Sequence, residues 1–156
     1  MQIKEQKHRL PRELYQGRVQ CAFTLCVSDR KNLFVSDQIF HDMEDILINV
    51  LMKTKCDAHI YLFMPNHCHL LVEGKSDESD LWKCIVEFKR KSGYWLSRNQ
   101  YSQEWQKDFY DHILRREDDL EKQVRYILGN PLRKGIVEDW NTYPYKGSTL
   151  YDFSKW

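Results

Sequence analysis

A chain of 156 residues holds one domain with a real core and is too short for two comfortable ones. Its 42% hydrophobic and 30% charged residues exclude a disordered polymer, and a net charge of +1 supplies no global field to draw in a nucleic acid. Five cysteines without a C-x-x-C pair, no signal-peptide core and no long apolar span exclude a disulfide framework, a Cys-pair zinc site and a membrane span, and the expected setting is the cytoplasm.

Residues 1–17 are polar and basic and read as an N-terminal arm. In 19-VQCAFTLCV-27 the alternation of Val19, Cys21, Phe23, Leu25 and Val27 marks a strand. Ser36 is placed to cap a helix over 37–53, where Ile39, Phe40, Met43, Leu47, Val50 and Leu51 recur at helical spacing. The segments 58–64 and 67–73 read as strands joined by the Pro65-Asn66 turn, hence as a hairpin. Asp80 or Ser79 starts a helix to about Arg98, 107–114 alternates as a fourth strand, and a last helix begins near 117-EDD-119. Pro131 should stop that helix, because proline disfavours helical geometry in the residue before it. A turn-rich tail, 138–156, follows. The order βαββαβ plus an extra helix predicts an α+β, ferredoxin-like domain spanning 1–156, an antiparallel sheet with helices on one face.

Two histidines one residue apart follow the turn, in 64-MPNHCHLLVE-73. On a strand they project to the same face, their Cα atoms about 6.6 Å apart. Two imidazoles at that separation can converge on one cation, or they can simply pack in an ordinary strand. Cys68 points the other way, Leu71 stands where a histidine triad needs its third imidazole, and Glu73 is too far along to share a cation with His69.

The last helix has an apolar stripe of Leu120, Val124, Ile127 and Leu128, with Tyr126 about 140° from its centre. Asn130 lies about 40° from Tyr126 on the same wheel. The pair reads either as a surface tyrosine with a helix-ending asparagine, or as a nucleophile beside an amide oxygen. With His67 and His69, an Asn130 oxygen suits a divalent ion such as Mg²⁺ or Mn²⁺. Such an ion on a phosphodiester would let the Tyr126 hydroxyl attack phosphorus and keep the bond energy in a covalent adduct, which favours strand transfer over hydrolysis.

The strings 61-YLFMPNHCHLLVE-73, 109-FYDHILRREDD-119 and 126-YILGNPLRKGIV-137 resemble the single-tyrosine HUH (His-hydrophobic-His) transposases, above all the REP-associated tyrosine transposases of the IS200-like superfamily. The resemblance runs from about residue 8 to 149. It implies His67 and His69 as metal ligands, Asn130 as the third ligand and Tyr126 as nucleophile, leaving a 5′-phosphotyrosine and a free 3′-hydroxyl. This chain has Asn130 where the insertion-sequence branch has the longer Gln. The implied partner is single-stranded or hairpin-forming DNA, bound by a monomer or a homodimer. Lys89 and Arg90, in 88-FKRKSGYW-95, and Arg115 and Arg133, flanking the last helix, are candidate DNA contacts, with solvated surface charge as the other reading. His112 reads as a strand histidine with a structural bond. A non-catalytic hairpin-binding protein derived from such an enzyme is the alternative function.

Overall fold

A computed structural model describes residues 10–156. Strand β1 (Gln20–Cys26), helix α1 (Asp37–Lys53), strands β2 (Cys56–Met64) and β3 (His67–Gly74), helix α2 (Leu81–Arg98) and strand β4 (Tyr110–Ile113) follow in the expected order. Next come α3 (Leu120–Leu128), α4 (Asn130–Arg133) and a two-residue strand β5 (Lys146–Gly147). The sheet order is β4-β1-β3-β2-β5, every pairing antiparallel.

The helices start where side-chain caps allow. Ser36 accepts from the Ile39 amide, Asp80 from Lys83 and Asp119 from Lys122, which satisfies donors that the first turn leaves open. On β1, Cys21, Phe23 and Leu25 face one way, and on β3 Cys68, Leu70 and Val72 join them beneath α1 and α2. The opposite face carries Ile60, Leu62, Met64 and Leu71, covered by Val124, Ile127 and Leu128 of α3 together with Tyr143 and Phe153. A bulge between Ala58 and Ile60 lets β2 supply both faces in the register that β3 demands. Gly74 permits a close crossing, because a Cβ there would lie 1.8 Å from the Gly17 carbonyl oxygen.

Four local expectations change. Residues 1–9 of the expected arm lie outside the described residues, but Tyr15 is buried in the main core against Trp82 and donates to Asp111, so this end of the arm is part of the fold. The fourth strand shortens to Tyr110–Ile113; Phe109, just before it, turns into the core against Phe23 and Trp82. Pro131 does not end the helical chain. Backbone turns at Gly129, α4 begins at Asn130, and Pro131 sits in its first turn, where a missing N–H costs no bond. The turn-rich tail is anchored rather than loose. Its β5 pairs with Tyr61 and Leu62, and Phe153 is buried.

Candidate active site

His67 and His69 project from β3 onto the face that α3 covers, the face of Leu71. Their ring centroids are 4.9 Å apart and the planes stand at 89°. Thr24, the cross-strand partner of His69, brings Oγ1 within 3.1 Å of its Nδ1. On the other side the Asn130 Nδ2 lies 2.9 Å from His69 Nε2. An amide N–H donates, so Nε2 accepts and the ring proton sits on Nδ1, donated to Thr24. His67 repeats the arrangement: its Nδ1 lies 2.8 Å from Asn66 Oδ1, an acceptor, so Nδ1 carries the hydrogen and Nε2 the lone pair.

Both rings are held neutral. Burial, with Arg30 and Lys134 nearby, pulls the His67 pKa from 6.5 to about 4. Burial, His67 itself and Arg133 pull His69 to about 3. Two neutral imidazoles with Nε2 lone pairs on one side of a sheet are a suitable half of a divalent-ion site. Among the described residues no group of three His, Cys, Asp or Glu side chains could hold a metal ion. The Asn130 carboxamide is the polar side chain already against the pair, 8% exposed, and rotating its amide presents an oxygen in place of the nitrogen. The donor set therefore fits a hard divalent ion.

Tyr126 is on the same segment but not at the same depth. A continuous wheel would set it beside Asn130; the restart at Gly129 parts them, leaving Tyr126 57% exposed and turning Asn130 inward. The Arg133 guanidinium lies 3.9 Å from the Tyr126 ring centroid and donates to the Tyr126 carbonyl at 2.5 Å. Among the described residues no hydrogen bond joins the Tyr126 hydroxyl to the histidines.

The DNA-contact candidates divide. Arg133 is at the site. Arg115 is exposed at the approach to α3, 3.9 Å from Glu117. Lys89 and Arg90 are on α2, which packs on the other face of the sheet from the histidines. Lys89 donates to the Gln106 and Lys107 carbonyls at 2.7 and 3.0 Å, and Arg90 pairs with Glu87 at 2.8 Å. His112 braces the turn before α3 through Asp118, 3.3 Å away. Sequence reasoning missed Thr24, Asn66 and Arg30 as parts of this site. Asn66 adjoins His67 and had a local signal; Thr24 alternates with core residues of β1 but meets His69 only through strand pairing.

A family described as "Transposase IS200 like" matches residues 15–129. A REP-associated tyrosine transposase of Escherichia coli (strain K12) is 25% identical over 126 residues, covering 79% of this chain and 72% of its own. A Haemophilus influenzae relative, provisionally assigned to the same class, is 24% identical over 139 residues, covering 79% of this chain and 76% of its own. Among solved structures, a REP-associated tyrosine transposase bound to a REP hairpin superposes with a TM-score of 0.75 at 20% identity, over 90% of this chain and 81% of that one. At that identity the likeness concerns the fold.

Proposed function

Because the chain belongs to the IS200-like transposase family, we propose that it cuts single-stranded DNA beside a hairpin and transfers the broken end to another strand. The observation that carries this reading is Asn130 against His69 at 2.9 Å, one helical turn after the exposed Tyr126. A hairpin as the partner follows the solved relative, whose ligand is a REP hairpin.

Tyr126 Oη attacks the scissile phosphorus. A P–O bond to the 3′-oxygen breaks, a phosphotyrosine forms on the 5′ end, and the phenolic proton is passed through solvent to the released 3′-hydroxyl. One phosphodiester replaces another, so a second 3′-hydroxyl can reverse the step and join a new strand. Asn66 and Thr24 keep both ring protons on Nδ1 and so aim the Nε2 lone pairs outward. A divalent ion such as Mg²⁺ or Mn²⁺, held by His67, His69 and Asn130, supplies Lewis-acid stabilisation of the charge that develops on phosphate. Arg133, stacked on the Tyr126 ring, holds the nucleophile's side of the site positive.

Incubation with hairpin oligonucleotides carrying single-stranded extensions and Mn²⁺ tests the reading. The expected product is a covalent protein–DNA adduct mapped to Tyr126, abolished by Tyr126→Phe with binding within about twofold of the parent. An adduct that persists in Tyr126→Phe, or tight binding with no adduct across the panel, overturns strand transfer; the second outcome leaves a hairpin-binding protein.

A further inference from the structure

The loop between β1 and α1 is stitched to the turn that precedes His67. Val27 donates to the Asn66 carbonyl at 2.9 Å, and Leu33 and Phe34 donate to the Pro65 carbonyl at 2.7 and 3.1 Å. Inside this loop Asp29 and Arg30 both hold left-handed backbone, with φ of 59° and 55°. Side chains with a Cβ avoid that region, and residues kept there cluster at functional sites. Two in succession hold Arg30 beside His67, whose neutrality it helps to enforce.

Lys134 reaches the same histidine from the other side. Its amide closes α4 on the Asn130 carbonyl at 3.0 Å, which ties it to the segment that meets His69. The Arg30 and Lys134 side chains are exposed, and neither makes a hydrogen bond or ion pair among the described residues. Asp29, next to Arg30, forms no ion pair with it there. Other cations are engaged: Arg90 by Glu87, Lys89 by two carbonyls, Arg133 by Tyr126. Two uncompensated cations on unrelated elements, held on either side of one imidazole, repel each other until an anion arrives.

We propose that Arg30 and Lys134 form a clamp for two backbone phosphates of the DNA strand, on either side of the phosphate that meets His67. The clamp rests on the strand-cutting reading for its ligand, but not on covalent chemistry. It reads charge and not base sequence, so it fixes the strand's path across the histidines without choosing the hairpin.

The test uses the full chain carrying Tyr126→Phe, which binds without turnover, and a fluorescent hairpin with a single-stranded extension, titrated by anisotropy from 50 to 300 mM KCl. Arg30→Gln and Lys134→Gln should each lower the slope of log K against log salt by about 0.7 to 0.9, one phosphate contact, while Arg90→Gln leaves it unchanged. Arg30→Gly adds a second reading. It relieves the left-handed backbone, so it should melt no lower than its parent while losing the same slope. Unchanged slopes in both Gln variants, an equal loss in Arg90→Gln, or a parent that binds none of the oligonucleotides overturns the clamp. Covalent adduct with unchanged slopes sinks the clamp alone; altered slopes without adduct sink strand transfer alone.

Discussion

Protonating His69 at Nε2 would set two donors face to face, 2.9 Å apart, because Asn130 already points an N–H at that atom. Burial is the larger reason that the ring stays neutral, and His67 and Arg133 add to it. The consequence for stability has a definite sign. An unfolded chain takes up protons on these histidines below about pH 6.5, while the folded rings resist to about 4 and about 3. Between those values the unfolded state holds more protons, so stability is full above pH 6.5 and drains away as pH falls through the window. We expect the chelated protein to lose about 1–2 kcal/mol per histidine by pH 4, discounted for partial solvation. The doubly substituted His67→Gln/His69→Gln protein should lose less over the same range in urea unfolding at pH 7 and pH 4. Equal losses would show that carboxylates alone set the acid limb. At this scale the sequence displayed the paired imidazoles plainly, since a strand's two-residue period is local. It could not display Thr24 on His69, because that contact depends on the register in which β1 pairs with β3.

Helix caps are equally local, and Ser36, Asp80 and Asp119 were legible for that reason. Pro131 was misread because its meaning depends on what the chain does two residues earlier. Once Gly129 ends α3 and α4 restarts at Asn130, proline is at home in the new first turn. Gly129 has a second consequence. Its own dihedrals (φ −77°, ψ −5°) suit any residue, so its backbone does not require glycine. A Cβ there would instead lie 2.7 Å from Arg133 Nη1, the end of the side chain that stacks on Tyr126. Gly129→Ala should therefore keep the fold, gaining up to about 1 kcal/mol of helix propensity, while pushing the guanidinium off the ring. Adduct formation should fall about tenfold at unchanged melting temperature or higher, as expected when a reacting group is misplaced by a fraction of an ångström to an ångström. A variant that melts lower, or one with full activity, would show that Gly129 does not make room for Arg133 at the nucleophile.

The sheet divides the molecule into two layers, and only one of them holds the site. Beneath α1 and α2 lies the larger core, with Phe23, Phe63 and Leu47; on the other face α3, the tail and the histidines share a smaller one. Tail residues tie this second layer down: Tyr151 meets His59 Nδ1 at 2.6 Å, His59 Nε2 meets Glu73 at 2.8 Å, and Trp156 lies under Arg125 of α3. Strand alternation made the first layer readable. The second was not, since scattered aromatics after residue 138 carry no period, and the β2 bulge that redirects Ile60, Leu62 and Met64 leaves no mark in composition. This division makes stability and site function separable. Leu47→Ala and Leu128→Ala each empty a buried site, and each should cost about 2–5 kcal/mol in denaturant unfolding. Below the unfolding transition, however, Leu47→Ala should bind Mn²⁺ as the parent does, because α1 touches neither histidine's face. Leu128→Ala loosens the helix whose continuation presents Asn130 and should weaken Mn²⁺ binding about tenfold or more in an EPR titration. If both variants bind the ion equally, the seat of Asn130 on His69 does not depend on the packing of α3, and α4 alone must fix it.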